Sequence, residues 1–156
     1  MKFFIKNMCE EYAVQILKWN YDTPYDFYNN EVNSDSIKEM LENPYCVVVD
    51  EYEKLVGFFC TGALAQVPIG SRFGAYSEDF IDIGIGMKPV LTGQGLGYMF
   101  FSFVLHHIQE TNKDVSIRLT VAKFNKRAIH LYEKVGFKEE MEFSNGKADF
   151  QTMVKI

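Results

Sequence analysis

A chain of 156 residues that is 47% hydrophobic and 24% charged has the size and composition of one globular domain with a sizeable core. Its net charge of −5 argues against a nucleic-acid backbone as the main partner, which needs a basic face, and suits a cationic or amine ligand. Cys9, Cys46 and Cys60 have no metal or redox spacing and read as reduced thiols, so no metal is expected. No apolar run approaches a membrane span, and MKFFIKNMCEEY turns acidic too early for a secretory leader, so the expectation is a cytoplasmic protein with no membrane partner.

In chain order, Lys2–Lys6 is a short apolar-rich strand, and Glu10–Trp19 carries Tyr12, Ala13, Ile16 and Leu17 at helical spacing. The next stretch, WNYDTPYDFY from Trp19 to Tyr28, is aromatic and acidic and lacks periodicity. It reads as a loop or broken helix over a cleft. Ser36 and Glu39 have capping-box spacing, with Ile37, Met40 and Leu41 on the buried face of a helix that Asn43-Pro44 stops. Cys46–Val49 and Leu55–Thr61 flank the polar turn Asp50–Lys54 as an antiparallel hairpin. Gln66–Asp79 is loop-like, with Pro68, Gly70 and Gly74.

The segment Ile81–Phe101, IDIGIGMKPVLTGQGLGYMFF, organises the rest. A strand ends at Pro89, a turn carries Gly93, Gly95 and Gly97, and a helix follows with Phe101, Val104, Leu105 and Ile108 at i, i+3, i+4 and i+7. Backbone N–H groups at such a helix start suit a phosphate, and glycines let a ligand approach closely. No Asp or Glu lies between Gly93 and Gln109, although acids usually favour a first helical turn. A tight turn with close packing explains the same glycines without a ligand. Val115, Ile117, Leu119 and Val121 alternate as a strand. Asn125 caps a helix whose stripe is Ala128, Leu131, Tyr132 and Val135 and which Gly136 ends. Phe137–Phe143 and Lys147–Ile156 flank the hairpin signal Asn145-Gly146.

The order is β-α-α-β-β-β-α-β-α-β-β over a single domain spanning residues 1–156. It predicts an α/β fold with a mixed, mostly antiparallel central sheet, one parallel splayed strand pair, and helices on both faces. Spacing removes two phosphate sites. A dinucleotide fold wants G-x-G-x-x-G early in the chain, and a P-loop wants Gly-Lys-Ser/Thr where Gly97-Tyr98-Met99 stands.

Met87-x-Pro89-x-x-Thr92-x-x-Gly95-x-Gly97, followed by Asn125-x-x-Ala128-Ile129-x-Leu131-Tyr132-Glu133-x-x-Gly136-Phe137, resembles the two motifs of the GNAT superfamily of acyl-CoA-dependent N-acetyltransferases. The pattern is nearest the ribosomal-protein-alanine and small-amine type. The resemblance implies acetyl-CoA as co-substrate. It implies that Ile85, Gly86 and Met87 pair with the pantetheine arm. Thr92, Gly93, Gln94, Gly95, Leu96, Gly97 and Tyr98 would hold the pyrophosphate, chiefly through backbone N–H groups. Asn125 would also contact the cofactor, and Tyr132 would protonate the departing thiolate. Two positions depart from the family pattern. Thr92 stands where Arg or Gln is usual and offers a hydroxyl donor without charge. Thr120 stands where some protein N-terminal acetyltransferases carry a glutamate, so no base is inherited there.

Acyl transfer needs a neutral amine, and an alkylamine with a pKa of ~10.4 is almost all protonated at neutral pH. Asp82, inside an apolar strand, is the candidate base; its position is costly unless it is paired or useful. Glu78 and Asp79 read as solvated, and His106, His107 and His130 as surface or packing residues. Trp19, Tyr21, Tyr25 and Tyr28, with Asp22 and Asp26, form a candidate acceptor rim, or else pack the first helices onto the sheet. The expected acceptor is a primary amine on a small molecule, protein or peptide. A non-catalytic acyl-CoA sensor is the alternative, and pairing into a homodimer through the C-terminal hairpin edge stays open.

Overall fold

The computed structural model describes residues 1–156. Its elements follow the expected order: β1 (Phe4–Asn7), α1 (Glu10–Leu17), α2 (Ser34–Glu42), β2 (Cys46–Val49), β3 (Leu55–Thr61), β4 (Ile81–Met87), α3 (Leu96–Thr111), β5 (Ile117–Ala122), α4 (Lys126–Val135), β6 (Lys138–Ser144) and β7 (Asp149–Lys155). Seven strands hydrogen-bond in the order β1-β2-β3-β4-β5-β7-β6. The expected parallel pair is β4–β5, registered from Ile81↔Ile117 to Ile83↔Leu119. The pairs β1–β2, β2–β3, β5–β7 and β6–β7 are antiparallel. No helix is long and apolar enough to cross a membrane.

The chain forms two compact units, and β4 and α3 each run through both. The first comprises Met1–Cys60 and Ile85–Val104. Here Ala13, Ile16 and Leu17 of α1 and Met40 of α2 pack with Val47, Val49 and Leu55 of the hairpin. The second comprises Thr61–Gly84 and Leu105–Ile156. Its aromatic cluster has Phe143 and Phe150 in neighbouring strands, 5.6 Å between ring centroids, packed with Ala75 and Ala122. The α3 stripe is buried as its spacing requires: Phe101, Val104, Leu105 and Ile108 lie in the core.

Four local expectations change. The cap of α2 is Asn33, not Ser36: Asn33 Oδ1 accepts from the Ser36 N–H at 2.8 Å, and the Ser36 hydroxyl accepts from the Asn33 N–H at 3.0 Å. The helix therefore starts at Ser34, and Leu41 turns outward, 44% exposed. Asn145-Gly146 does not make a two-residue turn. The loop holds four residues, because Asn145 Oδ1 accepts from the N–H groups of both Lys147 and Ala148. Gln66–Asp79 contains a 3₁₀ helix at Pro68–Phe73, ended by Gly74 in the left-handed region at φ 74°. The aromatic stretch, expected as a loop or broken helix, holds a 3₁₀ turn at Tyr25–Tyr28 in keeping with that reading.

Candidate active site

The glycine turn follows from its own chemistry. Pro89 opens a 3₁₀ turn, Pro89–Leu91, in which the Thr92 N–H returns to the Pro89 carbonyl at 3.1 Å. Gly93 and Gly95 then take φ of 74° and 77°, a region that side chains with a Cβ enter only at a cost. No heavy atom lies within 4 Å of where a Cβ on Gly95 would sit, so the backbone is open to close approach. The N–H groups of Leu96, Gly97 and Tyr98 in the first turn of α3 have no intrahelical acceptor, and no acid competes for them. These residues fit a diphosphate.

Two side chains of the turn bond inward. The Thr92 hydroxyl donates to the Pro89 carbonyl at 2.7 Å, and Gln94 Nε2 donates to the Val90 carbonyl at 2.6 Å. The donor that Thr92 was expected to offer is thus committed inside the turn. At the end of β4, Ile85, Gly86 and Met87 are half-buried. Gly86 is small for a packing reason: a Cβ there would stand 2.3 Å from the Phe58 ring.

In the other unit, Asn125 caps α4 as expected, its Oδ1 accepting from the Ala128 N–H at 3.2 Å, and Gly136 ends the helix at φ 107°. Tyr132 is 9% exposed, its ring 6.2 Å from that of Phe137. It lies on the apolar stripe and is well packed.

Asp82 is paired. Both its oxygens accept from Arg118, Oδ1 from Nε at 2.6 Å and Oδ2 from Nη2 at 2.8 Å, while Gln66 Nε2 donates to Oδ2 at 2.8 Å. Asp82 and Arg118 face each other in the parallel register and are 3% and 1% exposed. The hydrogen bond that Arg118 donates to Asp82 raises the Arg118 pKa and keeps the guanidinium charged. The guanidinium lies 5.1 Å from the Tyr76 ring centroid and 5.4 Å from that of Phe80. Both oxygens of this carboxylate are engaged within the protein and the side chain is buried. Asp82 is better placed to hold β4 against β5 than to take a proton. Sequence reasoning missed Arg118, although a lone cation between Ile117 and Leu119 in an alternating strand was the available signal. Thr120, with no glutamate to offer, hydrogen-bonds the Tyr76 hydroxyl at 2.8 Å.

The candidate acceptor residues divide. Trp19 is partly buried against the α1–α2 core, 6.0 Å from the Phe58 ring, and acts in packing. Tyr21 and Tyr28 meet edge to face at 6.4 Å, and the Tyr21 hydroxyl donates to the Met87 carbonyl at 2.6 Å. The Tyr25 N–H donates to the Asp22 carbonyl at 2.7 Å, inside the same loop, where Asp22 and Asp26 are exposed.

The glycine turn thus opens α3 with backbone N–H groups that no acid opposes, on a mixed sheet with one parallel strand pair. Residues 9–137 match the profile of the Acetyltransferase (GNAT) family. A spermine/spermidine N(1)-acetyltransferase of Bacillus subtilis is 30% identical over 112 residues, covering 67% of this chain and 70% of that protein. A probable spermine N(1)-acetyltransferase of Bacillus subtilis subsp. natto matches to the same extent. Among solved structures, a GNAT-family acetyltransferase from Bacillus anthracis superposes with a TM-score of 0.75 at 15% identity, over 100% of this chain and 95% of that one. A Vibrio cholerae spermidine N-acetyltransferase chimera gives 0.71 at 22%, over 100% and 96%. The chain belongs to the GNAT family. It is an N-acetyltransferase, an enzyme that moves an acetyl group to an amine.

Proposed function

We propose that the donor is acetyl-CoA and the acceptor a primary amine of a small polyamine-like cation. The observation that carries the acceptor class is the loop Asn20–Asn29. It sets two exposed carboxylates, Asp22 and Asp26, beside the Tyr21–Tyr28 pair, with Tyr21 bonded to the end of β4. An acidic, aromatic surface attracts an ammonium through charge and ring quadrupole together. That relatives at 30% identity are named for spermine supports the same class.

Ile85, Gly86 and Met87 present strand-end backbone groups to the pantetheine arm, the Met87 carbonyl through the lone pair that Tyr21 does not use. The amides of Gly93, Gln94, Gly95, Leu96, Gly97 and Tyr98 take the diphosphate, with Thr92 shaping their turn and Asn125 adding a cofactor contact. The thioester supplies an activated acyl carbon. The amine nitrogen bonds to that carbon as the carbon–sulfur bond breaks, and the Tyr132 hydroxyl protonates the departing sulfur. Two protons leave the nitrogen: one goes from the ammonium to water before attack, since Asp82 is occupied by Arg118, and the second, shed as the carbon–nitrogen bond forms, restores the Tyr132 hydroxyl. Attack is direct. Cys60 is buried, and burial pushes the Cys46 thiol up, away from the reactive thiolate.

Thiol release with spermidine, spermine, an aminoglycoside and a lysine peptide tests the acceptor. Turnover is expected to be highest with the polyamines. Activity confined to the peptide or aminoglycoside would overturn that class. Tyr132→Phe is expected to lower kcat by about 10²-fold with acetyl-CoA affinity unchanged; an unchanged kcat would remove Tyr132 as the acid.

A further inference from the structure

The bond from Tyr21 to Met87 crosses 66 residues of sequence, and its surroundings give it a purpose. The peptide unit that accepts it is bonded at both ends. Its carbonyl, from Met87, takes the Tyr21 hydroxyl at 2.6 Å, and its N–H, from Lys88, donates to the Val56 carbonyl of β3 at 2.8 Å. The last peptide of β4 is therefore pinned to the hairpin on one side and to the loop on the other.

The loop, in turn, is closed on itself. The Tyr21 N–H donates to Asn29 Oδ1 at 2.8 Å, and Asn29 Nδ2 donates to Asn20 Oδ1 at 2.7 Å. The Asn29 N–H reaches the Asp26 carbonyl at 3.0 Å. Whatever position Tyr21 takes, the closed loop takes with it. A phenol has one proton, and here it is spent on a backbone carbonyl, so the remaining lone pairs of Oη can only accept.

We propose that Tyr21 is a positioning residue for the acceptor amine: its hydroxyl, anchored on the Met87 carbonyl, registers the acidic aromatic loop on the end of the strand that carries the thioester arm. This rests on the donor and acceptor reading above. A closed loop without its anchor loses its place on the strand and opens more often. A displacement of about an ångström is enough to cost a bimolecular reaction about 10²-fold.

Tyr21→Phe tests this with two readouts. In amide hydrogen exchange, the Tyr25 and Asn29 amides are expected to exchange at least about tenfold faster, with those of Val47 and Val48 unchanged. In kinetics, kcat/KM for the amine falls about 10- to 100-fold, while thioester hydrolysis without amine and the KM for acetyl-CoA stay within about twofold. Asn29→Ala, which opens the loop at its closure, is expected to give the same kinetic split. If spermidine is not turned over, the polyamine reading fails, and the comparison is made with whichever primary amine is a substrate. Unchanged exchange, an unchanged kcat/KM for the amine, or a parallel fall in aminolysis and hydrolysis overturns the proposal.

Discussion

Asp82→Ala separates a structural carboxylate from a catalytic one. The substitution removes two hydrogen bonds to Arg118, at 2.6 and 2.8 Å, and one from Gln66 at 2.8 Å. It leaves the guanidinium 1% exposed and without its counter-charge, in a site where Nη1 already has no hydrogen-bond partner. Breaking a buried pair from one side costs about 3–5 kcal/mol, because the remaining charge stays desolvated. For a chain of this length that is a fall in Tm of about 6–20 °C. Removing both charges is a different perturbation. Asp82→Leu with Arg118→Met is expected to recover most of the loss, since well-packed apolar side chains often replace a buried ion pair without net cost. Urea and thermal unfolding followed by circular dichroism, with turnover measured well below each Tm, give the two quantities needed. A loss below about 1 kcal/mol in Asp82→Ala would refute the structural role. So would Asp82→Asn if it kept wild-type stability and lost turnover by the 10²-fold or more expected for removal of a general base.

Other substitutions probe the cofactor turn and the core. Thr92→Ala is expected to change acetyl-CoA affinity less than about threefold by calorimetry, because the Thr92 hydroxyl is spent on Pro89. Gly95→Ala should cost about 1–2 kcal/mol of stability from its φ of 77°, without a clash, and also weaken acetyl-CoA binding, as read by calorimetry beside urea unfolding. Gly86→Ala should cost about 1–3 kcal/mol by overpacking against Phe58. Burial pushes the Tyr45 phenol from 10.0 up to about 12. The folded state therefore holds that proton more tightly than the unfolded state. The stability it contributes is complete below pH 10 and is lost as pH climbs toward 12. Tyr45→Phe should lack that phase, and its ultraviolet titration should lack a phenol that ionises near pH 12.

What the sequence disclosed tracked how local each signal was. The hairpin Cys46–Thr61, the stripe of α3, and the helix from Asn125 to Gly136 were legible because a few neighbouring residues decide each. The start of α2 was not, because Asn33 and Ser36 both offer caps and only the folded backbone chooses. Arg118 was invisible as a partner of Asp82, since 36 residues and a parallel crossover separate them. The GNAT pattern tied the glycine turn and the Asn125 cap, both read from local spacing, to acetyl-CoA. It could not show that the Thr92 hydroxyl turns inward, which depends on the 3₁₀ geometry after Pro89. Trp19 and Tyr21 looked alike in a run of aromatics, and their separation into core and anchor came from tertiary packing.

With Thr92 and Gln94 both bonded inward, the glycine turn offers an anion peptide dipoles rather than side-chain charge. Dipoles attract no counterion that must be displaced on binding, and they fall off too quickly with distance to be heavily screened. The turn's grip on a diphosphate should therefore change little between dilute buffer and high salt. The acidic loop's attraction for a polycation should fade steeply over the same range. Ionic strength alone then moves the two substrate affinities apart: the acceptor KM rises with salt, while the cofactor KM stays nearly level.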